Sequence, residues 1–173
     1  MEAAVPKDRQ TLLDKLDKAY SVHFDKEDIP DGIPGLAGCY AFHAANESYV
    51  ISKKVKLWRA EMHEYAYVFS FENLDAAAAF AALENAKTLA KGQIHPGREH
   101  MQSNITAVFV CGSIEDDAAK LLKKTRYHKN YLLMLRGWTD LRTGAVDISK
   151  DAVMSNRAGK DLAPFLRENL NRC

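Results

Sequence analysis

The sequence predicts a single α+β domain of 173 residues, built on one mixed β-sheet with helices packed against it. Three observations predict this. Apolar residues recur with period two over much of 39–71. They recur with the helical period over 7–22 and 73–91. After these comes a strand–helix–strand order whose strands are apolar throughout, the pattern of a parallel crossover.

Residues 7 to 22 read as a helix, because Leu12, Leu13, Leu16, Ala19 and Tyr20 share one face. The segment Phe24 to Gly38 holds Pro30, Gly32, Pro34 and Gly35 and reads as a loop. An antiparallel meander of three strands is expected next: Cys39 to Ala44, Ser48 to Ala60 and Glu64 to Phe71. Its turns are expected at Ala45-Asn46-Glu47 and Glu61-Met62-His63. The last strand carries the aromatic stripe Tyr65, Tyr67, Phe69 and Phe71, which reads as core. Asn73 is the expected N-cap of a helix that runs through the alanine run to Lys91 and stops at Gly92. Ile105 to Cys111 reads as a buried strand, and Ser113 as the cap of a helix with Ile114, Ala118, Leu121 and Leu122 inward. Tyr131 to Leu135 reads as the buried strand that closes the crossover. Strand from Trp138 to Ile148 and a final helix near Pro164 complete the chain.

Composition narrows the function classes. Lys plus Arg is 24 and Asp plus Glu is 23, a balance without the basic excess of a dedicated nucleic-acid binder. No run is apolar for long enough to span a bilayer, and the N-terminus lacks the order of a secretion signal, so no membrane partner is expected. Three well-separated cysteines, Cys39, Cys111 and Cys173, fit a reducing cytoplasm. The GxxxxGK[ST], GxGxxG, HExxH, CxxC and GxSxG signatures are all missing from the sequence.

Two constellations carry chemistry. Residues His95 to Asn104 place His95, Glu99, His100 and Ser103 just before a buried strand. His100 suits acid–base work there, and His95, Glu99 and His100 are candidate metal ligands. Glu64, at the start of its strand beside Glu61 and His63, becomes a candidate base if its carboxyl points inward. The second constellation is the basic run Lys120, Lys123, Lys124, Arg126 and Lys129, with Tyr127 and His128 interleaved. Lys123, Lys124 and Arg126 are its candidate nucleic-acid contacts, although basic residues also close a helix for dipole reasons alone. Arg136, Arg142 and Arg157 suit an anion, but their sequence positions do not bring them together.

The order helix, three strands, helix, strand, helix, strand resembles the restriction-endonuclease-like fold. That family needs an acid on the second strand and Glu-x-Lys on the third. Here the second strand carries Lys53, Lys54 and Lys56, and the third begins Glu64-Tyr65-Ala66, so the resemblance implies a degenerate nuclease-like domain associated with nucleic acid. Short motifs are also similar to an uncharacterised family of small prokaryotic cytoplasmic proteins. These are Glu64-Tyr65, His100-Met101-x-Ser103-x-Ile105-Thr106, Tyr127-His128-Lys129, Gly137-Trp138 and Asn156-x-x-Gly159-Lys160. That resemblance marks His100, Ser103, His128, Lys129 and Asn156, together with His95, as candidate ligand-binding residues.

The leading expectation is a non-enzymatic binding or interaction domain, with an exposed sheet edge as the basis for a homodimer. The alternatives are an enzyme, metal or small-ligand site on the 95–104 loop with Glu64, and nucleic-acid association. The sequence names no cofactor and no partner.

Overall fold

The computed structural model describes residues 8–49, 56–97, 100–133 and 135–172. Asp8 caps α1 (Arg9–Tyr20) by accepting the Thr11 N–H at 3.0 Å, and Leu12, Leu16 and Tyr20 fall four apart on its buried face. The expected loop that follows contains a three-residue strand, β1 (Asp25–Glu27), which pairs with Cys39 to Ala41.

Two long strands then form an antiparallel hairpin, β2 (Leu36–Tyr49) and β3 (Lys56–Leu74). Neither expected turn exists. Ala45 pairs with Glu61 and His43 with His63, so both supposed turns lie inside the ladder. Neither segment contains the Gly or Pro that would have broken it. The hairpin connection, with Lys53 and Lys54, lies in 50–55, outside the described residues. The antiparallel meander is therefore β1–β2–β3.

The next elements are α2 (Ala76–Gln93), β4 (His100–Ile114) and α3 (Asp116–Lys124). After them come β5 (His128–Asn130), β6 (Trp138–Asp147), β7 (Ala152–Ser155) and α4 (Leu162–Asn171). The sheet order is β1-β2-β3-β4-β6-β5, with β7 also on β6. β3, β4 and β6 are parallel, so β3–α2–β4 and β4–α3–β6 are successive crossovers and the sheet is mixed, as expected. The strand that closes the second crossover is β6, not Tyr131 to Leu135. That segment is a loop between β5 and β6. Its Leu132 and Leu133 adopt positive φ, and Arg136 N–H turns back onto the Tyr131 carbonyl at 3.1 Å.

Two caps also differ from expectation. Asp75 caps α2, accepting Ala78 N–H at 2.7 Å, and α3 starts after Glu115 without a side-chain cap bond. Asn73 and Ser113 remain strand residues, paired in register and joined by Ser113 Oγ–H to Asn73 Oδ1 at 2.8 Å.

The alternation along the strands divides the core. Ala66, Val68, Val108 and Val110 meet Leu12, Leu16, Leu166 and Leu170 of α1 and α4. Tyr67, Phe69, Ile105 and Phe109 meet α2 and α3 on the other face, where Ala79, Ala82, Ala86 and Ala90 let α2 approach closely. The aromatic stripe is core, as its pattern indicated. It contains one unsatisfied group: the buried Tyr67 hydroxyl has no hydrogen-bond partner among the described residues. A buried hydroxyl left unpaired costs about 1–3 kcal/mol. Tyr67→Phe is therefore expected to raise the unfolding free energy by up to about that amount, measured by urea denaturation. A clear loss of stability would show that the hydroxyl is bonded in solution.

Candidate functional site

The in-register strands assemble a row of polar side chains that lie far apart in sequence. Glu64 pairs with Asn104, Asn104 with Asp140, and Asp140 with His128 of β5. All four stand on the face that carries α1 and α4. Each residue's sequence neighbour stands on the other face, which gives a second row of His63, Ser103, Thr139 and Lys129, with His43 of β2 at its end.

The first row borders a cavity of about 770 Å³ at the N-terminal ends of β4 and β6. Its floor is Gln102, Asn104, Asp140 and Arg142. Its walls are Thr125 to His128, after α3, and Asn156 to Ala158 with Asp161, before α4. Glu64 does point inward. Its carboxylate accepts Thr106 Oγ–H at 2.7 Å and Arg142 Nη1–H at 2.9 Å, and the other guanidinium nitrogen of Arg142 donates to Asp161. Arg142 is therefore neutralised on both sides. Arg126 and Arg157 line the same cavity, are exposed, and make no ion pair among the described residues.

Asn156 holds the walls in place. Its Oδ1 accepts from Thr143 N–H at 3.0 Å and Gly159 N–H at 2.8 Å. Its Nδ2 donates to the carbonyls of Leu141 at 2.9 Å and Thr125 at 3.0 Å. The amide is saturated, so Asn156 lines the cavity as a positioning residue rather than as a free ligand contact. Asn156→Ala leaves three buried backbone groups and one half-buried carbonyl without their partner and is expected to cost about 2–5 kcal/mol, read as a lowered denaturation midpoint. A loss below about 1 kcal/mol would contradict this role.

His128 stands over the cavity with Nδ1 on Asp140 Oδ1 at 2.6 Å and Nε2 on Asn130 Oδ1 at 2.9 Å. Both nitrogens face oxygen acceptors, the arrangement a protonated ring requires. The hydrogen bond to Asp140 is the main cause that raises the His128 pKa above its ordinary 6.5, partly opposed by desolvation. The sign follows: the pair stabilises the fold at pH below the unfolded histidine value and loses that contribution as pH rises through the folded one. An NMR titration should place His128 above the ordinary histidine value and move it down in Asp140→Asn. The stability difference between wild type and this variant should shrink with rising pH. An unmoved titration would remove Asp140 as the cause.

On the opposite face His100 is buried, and both its nitrogens are engaged. The Arg136 carbonyl can only accept, so Nδ1–H donates to it at 2.7 Å, and Nε2 meets Ser103 Oγ at 2.8 Å. Gly137 makes this approach possible. It sits at φ +75°, and a Cβ there would come within 2.2 Å of the Met101 carbonyl oxygen. His95 is exposed in the connection before β4, and Glu99 lies outside the described residues. His95 is thus exposed where His100 is buried. Among the described residues no group of three or more His, Cys, Asp or Glu side chains is arranged to hold a metal.

Beside Ser103 the second row holds a histidine pair, His43 Nδ1 and His63 Nδ1, at 2.7 Å. Lys129 lies over the Tyr131 ring at 5.2 Å, and the Tyr131 hydroxyl bonds Thr139 Oγ1 at 3.0 Å. The five residues marked by short motifs therefore divide between the faces. His100, Ser103 and Lys129 lie on one and His128 on the other, while Asn156 follows β7 at the edge of β6. Lys123 and Lys124 are exposed at the end of α3, while Arg126 turns to the cavity. Asp140 and Asp161 are site residues that the sequence did not single out.

A family model described as "Domain of unknown function (DUF8052)" matches residues 8–168. The chain belongs to this family. The match covers every strand and helix described above except the last turns of α4, so both polar rows are part of the DUF8052 domain. No curated protein and no solved structure matches the chain. Among the described residues no helix is long and apolar enough to cross a membrane.

Proposed function

We propose that this DUF8052 domain binds a small anionic ligand in the cavity between the β4–β6 floor and the β7–α4 turn. The observation that carries the reading is the unequal distribution of charge partners there. Arg142 is shared by Glu64 and Asp161, and His128 rests on Asp140, while Arg126 and Arg157 face the same space with no carboxylate of their own. A guanidinium pair presents planar forks that match a carboxylate or phosphate. Gln102 and Asn104 supply neutral hydrogen-bonding groups on the floor, the mixture expected of a site that orients a small molecule.

A second reading keeps the enzyme class. The His128–Asp140 pair stands at the rim, and a carboxylate-held imidazole can move a proton at near-neutral pH. In this reading the acid–base residue is His128, with Glu64 committed to Arg142. The buried thiols suit a reducing cytoplasm: Cys39 and Cys111 are unpaired, and burial pushes them up to about 11 and about 12. For a homodimer the support is geometric, since β1 covers only Cys39 to Ala41 of β2.

The test is a thermal-shift series with inorganic phosphate, nucleotides and small dicarboxylates. A ligand at 100 times its dissociation constant adds about 2.7 kcal/mol, which for a chain of this size is a shift of roughly 5–10 °C. The shift should disappear in Arg126→Ala/Arg157→Ala while the ligand-free melting temperature stays within about 2 °C. Turnover of a stabilising ligand, lost in His128→Asn, would favour the enzyme. A panel with no shift, or a shift the double variant retains, would overturn the cavity assignment.

A further inference from the structure

From Ala118 to Thr139 the chain contains no acidic residue and six basic ones, Lys120, Lys123, Lys124, Arg126, Lys129 and Arg136. Lys120 pairs with Asp117 and Arg126 lines the cavity. Lys123, Lys124, Lys129 and Arg136 are exposed and make no ion pair among the described residues. The α3 terminus leads into β5 and the loop after it, at the end of the sheet where β6 begins.

The same end carries the two most exposed large apolar side chains of the described residues, Leu133 and Leu135. Leu132 is 60%, Leu133 93% and Leu135 80% exposed, with Met101 38% exposed at the base of their loop. The loop is tied down there. Tyr131 N–H donates to the Gly137 carbonyl at 2.9 Å, Arg136 N–H to the Tyr131 carbonyl at 3.1 Å, and His100 to the Arg136 carbonyl. Its tip holds Leu132 at φ +46° and Leu133 at φ +52°. Leucine rarely adopts this conformation, which Asn or Gly accepts more readily. The backbone thus holds two leucines outward, in a conformation their own side chains disfavour, from a base fixed by buried hydrogen bonds.

We infer that this loop docks on an anionic lipid surface, with Leu132, Leu133 and Leu135 entering the interface and Lys123, Lys124, Lys129 and Arg136 meeting the headgroups. Charge complementarity selects this occupant. A hydrophobic tip on a segment flanked by unpaired cations fits an apolar layer beneath anions, whereas a duplex nucleic acid offers anions with no apolar layer for three exposed leucines. The tyrosines that carry the cations, Tyr127 under Lys87 and Lys91 and Tyr131 under Lys129, suit the boundary between the two. The lack of a spanning run does not bear on this contact, because an interfacial loop needs none. Each basic residue near an anionic bilayer contributes about a fivefold factor in partition.

Flotation of the full chain with vesicles tests it, comparing phosphatidylcholine alone with phosphatidylcholine mixed with phosphatidylglycerol. Flotation is expected with the mixed vesicles, weakening as salt rises. Leu132→Asn/Leu133→Asn should reduce partition by about tenfold or more. Its melting temperature should not fall, since Asn suits positive φ, so lost binding will not be lost folding. Lys123→Glu/Lys124→Glu should also weaken binding. Equal flotation with phosphatidylcholine alone, no flotation, or flotation unchanged in the leucine variant would overturn the proposal. So would self-association that vanishes in that variant without vesicle binding, or duplex DNA binding lost in the lysine variant without flotation.

Discussion

The amide of Asn156 holds one end of this molecule together. Three segments meet there: the chain leaving α3, the first half of β6, and the turn between β7 and α4. One planar group with two donors and two acceptor sites joins them through Thr125, Leu141, Thr143 and Gly159. The cavity is the space these segments leave between them. Its shape therefore depends on a residue whose polar atoms are all used internally, and the side chains that remain available, Arg126 and Arg157, stand on segments that the amide fixes.

Much of the fold is legible in the sequence because the hydrophobic periods are strong. The helix with Leu12 and Leu16, the apolar strand through Ile105 and Phe109, and the aromatic stripe of β3 are all core. The turns were less legible. Polar residues at 45–47 and 61–63 resemble loop tips, but a long hairpin accepts polar side chains wherever its ladder continues, and here it does. The run Tyr131 to Leu135 failed differently. Composition alone cannot separate a buried apolar strand from an exposed apolar loop, and the edge of β6 beside it is already occupied by β5.

The site was legible only in fragments. Glu64 could be marked because a carboxyl at an expected strand start can point inward, and His128 because it belongs to one of the short motifs. Asp140 and Asn104 carry no local signal, since their meaning comes from register: parallel strands set Glu64, Asn104, Asp140 and His128 side by side across gaps that periodicity cannot bridge. The alternation of strand faces likewise separates His100 and Ser103 from His128, although all three belong to one set of short motifs.

The charge at this end follows from topology. Each parallel crossover returns its helix against the strand direction, so α2 and α3 finish where β4 and β6 begin, and α1 finishes there too. Helix C-termini carry partial negative charge and favour basic residues. Lys18, Lys91, and Lys123 with Lys124 occupy those last turns. The one helix that starts at this end, α4, follows Asp161, which takes Arg142. The opposite end pairs its acids instead. There Asp147 is buried and accepts from Ile114 N–H and Ser149 Oγ–H, and Glu72 is taken by Arg9. A chain that satisfied its helix dipoles in the ordinary way would thus gather unpaired cations at the N-terminal ends of its parallel strands. The same lysines that look structural when each helix is considered alone become an electrostatic surface when three helices end together.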